Sequence, residues 1–94
     1  MLLSIDIKKL VLDALKPREI SIAELSKAIC KIEGVDNVSI NVVETDIKTE
    51  TIRMIIQGNS ICYEEVAKVL AENSTALKSV DEIAVSKKIT PKLV

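Results

Sequence analysis

Apolar residues along the chain recur at two spacings. Val38, Ile40 and Val42 alternate with Ser39 and Asn41, and Ile52, Met54 and Ile56 alternate with Arg53 and Gln57. A period of two puts alternate side chains on opposite faces of a strand, and the polar residues between the runs predict a hairpin. Ile22, Leu25, Ile29 and Ile32 instead recur every three or four residues, which marks one face of a helix. Ser21-Ile22-Ala23-Glu24 ahead of them is a capping box, and Gly34 beyond them suits a left-handed residue after the last turn. Gly58-Asn59-Ser60 then breaks the chain before a second helical stripe, Tyr63, Val66, Ala67 and Leu70, which Asn73 can close. The aliphatic run Ile5–Leu15 stops at Lys16-Pro17, because proline disfavours helical backbone in the residue before it. It reads as a first strand, and Val80–Ser86 reads as a last one.

The order βαββαβ predicts an α+β, ferredoxin-like sandwich: a four-stranded antiparallel sheet, order 4-1-3-2, with two helices on one face. One domain spans residues 1–94, with its core at about 5–88 and a C-terminal tail at 89–94. The uncovered face should carry Lys9, Val11, Asp13, Asn41, Val43, Arg53, Ile55, Glu82 and Ala84. Its mixture of aliphatics with charges of both signs is less polar than a fully solvated face, which predicts self-association through the sheet. The hairpin tip is expected at the pole of Asp6, Lys87 and Lys88, with Asp13, Asp36 and Asp81 at the opposite pole.

Charge and composition remove several function classes. Thirteen basic and 14 acidic residues give a net charge of −1, which offers a nucleic acid no electrostatic footprint. The central strands, LVLDAL and TIRMIIQ, carry no aromatic platform on which a base could stack. The chain has no His, the commonest base at neutral pH. The loop KPREIS has neither paired thiolates for a soft metal nor glycines to cradle a phosphate. No enzymatic activity and no organic cofactor are therefore expected. Asp6, Lys8 and Lys9 interrupt MLLSIDIKKLVLDAL, so it reads as neither a secretion signal nor a membrane span. A reducing cytoplasm follows, with Cys30 and Cys62 expected as buried structural thiols.

What remains for chemistry is the stretch VETDIKTETI, residues 43–52, with Glu44, Asp46 and Glu50 crowded around the turn. Ca²⁺ takes six to eight oxygens in a forgiving geometry, and Thr49 and turn carbonyls could add to the three carboxylates. Glu44 and Asp46, two apart, are expected on one face with Glu50 opposite, forming a Ca²⁺ or Mg²⁺ site that a neighbouring subunit could complete. The alternative is a charged turn partly neutralised by Lys48. Asp13 is a second candidate cation ligand, or an ion-pair partner of Lys16 or Arg53.

LVLDALKP at 10–17, EGVDNVSINVVETDIKTETIRMIIQGN at 33–59 and SVDEI at 79–83 together resemble the archaeal "domain of unknown function 211" family over about residues 5–88. The family pattern matches Asp13, Lys16 and Pro17, then Glu44, Asp46, Thr49 and Glu50, then Asp81 and Glu82. Ile20 and Cys62 depart from it, where a second proline and an acidic residue are typical. The resemblance implies a ferredoxin-like fold, ring-like homo-oligomers, calcium ions in such assemblies and no established enzymatic activity. A second class is a regulatory domain resembling amino-acid sensors of this fold. These bind a small molecule near the loop after the first strand, usually with a glycine that KPREIS lacks.

Overall fold

The computed structural model describes residues 2–90. Six elements follow one another: β1 (Leu2–Pro17), α1 (Ile22–Cys30), β2 (Val35–Thr45), β3 (Thr49–Gly58), α2 (Tyr63–Glu72) and β4 (Ala76–Thr90). The sheet order is β2-β3-β1-β4, the predicted 4-1-3-2 read from the other edge, and each neighbouring pair is antiparallel. This is the ferredoxin-like sandwich.

The period-two and period-four stripes meet in one core. Leu10, Leu12 and Ala14 of β1 and Ile52, Met54 and Ile56 of β3 are fully buried against Leu25 and Ile29 of α1 and Val66 and Leu70 of α2. Burying an aliphatic side chain of this size contributes about 1.5–3 kcal/mol, so these residues hold the helices to the sheet. Ser21 caps α1 by accepting a hydrogen bond from the Glu24 amide at 3.0 Å. Where β2 begins and β3 ends, two glycines lie back to back. A Cβ on Gly58 would stand 1.9 Å from the Gly34 carbonyl oxygen, and Gly34 itself has φ +93°.

Both outer ends of the sheet differ from expectation. β1 and β4 run 16 and 15 residues, longer than the predicted Ile5–Leu15 and Val80–Ser86. β3 pairs with β1 only over Lys9–Pro17, whereas Leu2–Ile7 pair with Val85–Thr90 alone. These six pairs make a two-stranded ribbon that extends the sheet by about 20 Å at ~3.3 Å per residue. The molecule accordingly measures 60 × 21 × 17 Å. A bulge at Lys8 separates ribbon from sheet. The ribbon's base is tied to the β3–α2 loop, where the Ile61 amide donates to the Ile7 carbonyl at 3.0 Å and Lys8 Nζ donates to Asn59 Oδ1. Ile89 and Thr90, expected in the tail, are strand; the rest of that tail, 91–94, lies outside the described residues.

Candidate functional site

Register decides where the hairpin acids go. Pro17 pairs with Thr49, and the Arg18 amide donates to the Lys48 carbonyl at 3.0 Å. The tip therefore stands at the end of β1 and the start of β4, opposite to the pole expected from sequence. An antiparallel β3 brings its first residues to the last residues of β1, and Asp6, Lys87 and Lys88 belong to the ribbon at the far end.

The acids are also on different faces. β2 skips Val43 between the pairs Val42–Ile52 and Glu44–Thr51, so this bulge puts Glu44 beside Thr51 on the open face. Glu50 pairs with Lys16 in register and lies on the helix side of the sheet, as do the buried Leu12, Ala14 and Ile52. Asp46 sits in the turn, where its Oδ1 accepts from the Ile47 amide at 2.8 Å and its own amide donates to the Thr49 carbonyl at 2.8 Å. Among the described residues no three His, Cys, Asp or Glu side chains converge. Glu44, Asp46, Glu50 and Asp13 thus do not compose one cation site within a single chain.

Two of the four are held by cations of the protein. Lys16 Nζ lies 2.6 Å from Glu50 Oε1, and also donates to the Pro17 carbonyl at 2.9 Å and to the Ile20 carbonyl. Its side chain is only 1% exposed, against 21% for Glu50. Lys16 is thus an internal fastener between β1, β3 and the loop before α1. The sequence offered Lys16 as the residue before a proline and as a candidate partner of Asp13, whereas its partner is Glu50, and no local signal marks a buried lysine. On the open face Arg53 donates to Asp13 Oδ1 at 3.0 Å and Oδ2 at 3.2 Å, and to Asp81 Oδ2 at 3.1 Å. The hydrogen bond from Arg53 holds Asp13 below the ordinary aspartate range, and Asp13 in turn raises Arg53. Of the expected alternatives for Asp13, pairing with Arg53 is the one seen.

The remaining expectations concern exposed surface. Register puts Lys9, Val11, Asp13, Asn41, Arg53, Ile55, Glu82 and Ala84 on the open face as expected, while Val43 occupies the bulge. That face is less apolar to solvent than its residue types suggest. Val11 is buried on it, Ile55 is half-buried, and Lys9 pairs with Glu82 at 3.4 Å. The uncovered aliphatic surface lies on the helix side of β4 and on the ribbon. Leu77, Val80 and Ile83 pair with Ala14, Leu12 and Leu10, which are fully buried, yet are themselves 36%, 39% and 50% exposed. The helical cover therefore thins from β1 to β4. The row continues along the ribbon through Val85, Ile5, Leu3 and Ile89, each more than half exposed. Its sequence signal was the alternation of Leu3, Ile5 and Ile7 with Ser4, Asp6 and Lys8.

Cys30 and Cys62 are free and exposed, not buried. Cys30 ends α1 and Cys62 occupies the N-cap of α2, both outside the periodic stripes that the core takes up. An open cleft of about 800 Å³ lies beside Cys62, lined by Ala28, Ile32, Asn59, Ser60, Cys62 and Val69 among others. It stands beside Gly34 near the base of the ribbon, away from the loop after β1 where a sensor of this fold would bind. Among the described residues no helix is long and apolar enough to cross a membrane.

Residues 8–93 match the family DUF211, described as "Uncharacterized ArCR". The chain is also similar to "Uncharacterized protein MJ0319" of Methanocaldococcus jannaschii. The two are 32% identical over 83 residues, which cover 88% of this chain and 86% of that protein. A match over nearly the whole chain, with the fold that the family pattern implied, makes this protein a member of the uncharacterised DUF211 family.

Proposed function

We propose that this protein is a non-enzymatic, self-assembling domain that works as a homo-oligomer. The observation that carries the reading is the row of uncovered aliphatics along β4 and the ribbon, from Leu77 to Ile89 and from Leu3 to Ile5. Contiguous exposed apolar surface on this scale marks an interaction site, because leaving it in water costs free energy that contact with a second surface recovers. A two-stranded ribbon without a cover is marginal by itself, which adds to the case that something packs on it.

Cation binding, Ca²⁺ or Mg²⁺, belongs to the assembly in this reading. With Glu50 on Lys16 and Asp13 on Arg53, the exposed acids at the hairpin are Glu44 and Asp46. Two carboxylates fall short of the six to eight oxygens that Ca²⁺ takes, so turn carbonyls, water and the acids of a neighbouring copy complete the set in this reading. Light scattering of the wild type and of Glu44→Gln/Asp46→Asn, each with calcium and with chelator, tests both parts. A monomer in every condition contradicts assembly. An oligomer of one size throughout, with no calcium taken up in equilibrium dialysis, contradicts only the cation site.

A further inference from the structure

The geometry points to the way the copies join: the β2 edge of one copy pairs antiparallel with the β4 edge of the next, extending the sheet from molecule to molecule. This rests on the assembly reading above and names its interface. In the order β2-β3-β1-β4 every neighbour is antiparallel, so β2 and β4, the two open edges, run in opposite directions. A second copy placed beside the first in the same orientation therefore presents its β2 antiparallel to β4, with all helices on one face. An open edge is a row of unpaired amides and carbonyls that another strand can satisfy.

The side chains on the two edges match as well. On β2, Val38, Ile40 and Val42 lie on the helix side, paired with the fully buried Ile56, Met54 and Ile52, and Val42 is still 40% exposed. On β4, Ile83 and Val85 lie on the same side and are 50% and 56% exposed. Joined edges set these two rows about 4.8 Å apart, where each covers the other. The neighbour's α1, which packs over its β2, would add to the helical cover beside the half-exposed Ile83 and Val85. With the neighbour displaced along the strands towards the ribbon, both segments are regular where they meet: Asn37–Val42 lies between the β2 bulges at Asp36 and Val43, and Glu82–Thr90 lies beyond the β4 bulges at Lys78 and Asp81.

Charge favours the same pairing. β2 contains Asp36 and Glu44 and no basic residue. β4 contains Lys78, Lys87 and Lys88, and its two acids are already paired within the chain, Asp81 with Arg53 and Glu82 with Lys9. Antiparallel joining brings Asp36, at the start of β2, to the end of β4 that carries Lys87 and Lys88. A two-fold pairing of β4 with β4 would leave β2 open and its aliphatic row uncovered. The β2–β4 contact is heterologous, so it makes rings or filaments rather than closed dimers.

Heterologous joining has a signature that other arrangements lack. Val42→Lys disables the β2 edge, Ile83→Lys disables the β4 edge, and both positions are exposed enough to accept lysine without disturbing the core. Sedimentation velocity should find each variant monomeric where the wild type is assembled, with unchanged far-ultraviolet circular dichroism. An equimolar mixture should give a species of twice the chain mass and no larger, because the one intact β4 edge and the one intact β2 edge are joined to each other and both outer edges are disabled. An assembled wild type whose variants also assemble would overturn the edge assignment while leaving the assembly reading intact. Dimers of Val42→Lys alone would indicate a two-fold β4 contact and overturn it too. A monomeric wild type would remove the assembly reading itself.

Discussion

Lys16→Met removes the charge that fastens β1 to β3 while keeping most of the side chain's volume. Lys16 Nζ serves Glu50 and two backbone carbonyls from a position 1% exposed. Removing one partner of a buried pair costs about 3–5 kcal/mol, because the other is left desolvated and unpaired. Glu50 is 21% exposed and can recover some hydration, which lowers the expected cost to about 2–4 kcal/mol. A chain of this length is stable by roughly 5–14 kcal/mol, so the variant should fold but melt early. With a urea slope of about 1–1.5 kcal/mol/M, the midpoint should fall by about 2 M. The measurement belongs in the Ile83→Lys background at fixed concentration, since association would otherwise add to apparent stability. Adding Glu50→Gln to Lys16→Met should restore part of the loss, whereas Glu50→Gln alone should destabilise. A Lys16→Met midpoint equal to wild type, or costs that simply add, would refute the fastener. The result bears on function: a Glu50 held by Lys16 is unavailable to a cation, so Glu50→Gln should leave calcium uptake unchanged.

Three further outcomes follow from the same geometry. Asp13 is held below the ordinary aspartate range by Arg53, so the clamp's contribution to stability is fully present above about pH 4 and is lost as pH falls through the lowered value. Urea titrations at pH 7 and pH 3 should show a smaller acid-side loss for Asp13→Asn than for wild type. Gly58→Ala should destabilise by more than ~1 kcal/mol in thermal melts, because its Cβ would stand 1.9 Å from the Gly34 carbonyl oxygen. Cys30 and Cys62 should both react with a maleimide in the native protein without denaturant, since both thiols are exposed.

The fold was legible because short-range spacing and turn chemistry agreed. Ser21 caps the helix that begins after it, and the alternating runs around the turn pair as a hairpin. Site geometry was less legible, because it depends on register. Single skipped residues, such as Val43 in β2, shift which face a side chain takes, and spacing along one strand does not report them. Glu44, Asp46 and Glu50 do not converge within one chain for that reason, and because Lys16 reaches Glu50 from another strand. The open face misled in another way: Val11 and Ile55 look exposed by position, yet Val11 is buried and Ile55 half-buried. By contrast, the alternation at Leu3, Ile5 and Ile7 was present in the chain and marks the ribbon that carries the exposed row.

Assembly through that row is the central claim, and the mass of the protein in solution tests it most directly. Light scattering of the wild type through a dilution series should return a multiple of the 10.3 kDa chain mass that falls towards 10.3 kDa for Ile83→Lys. A wild type of 10.3 kDa at every concentration would contradict it.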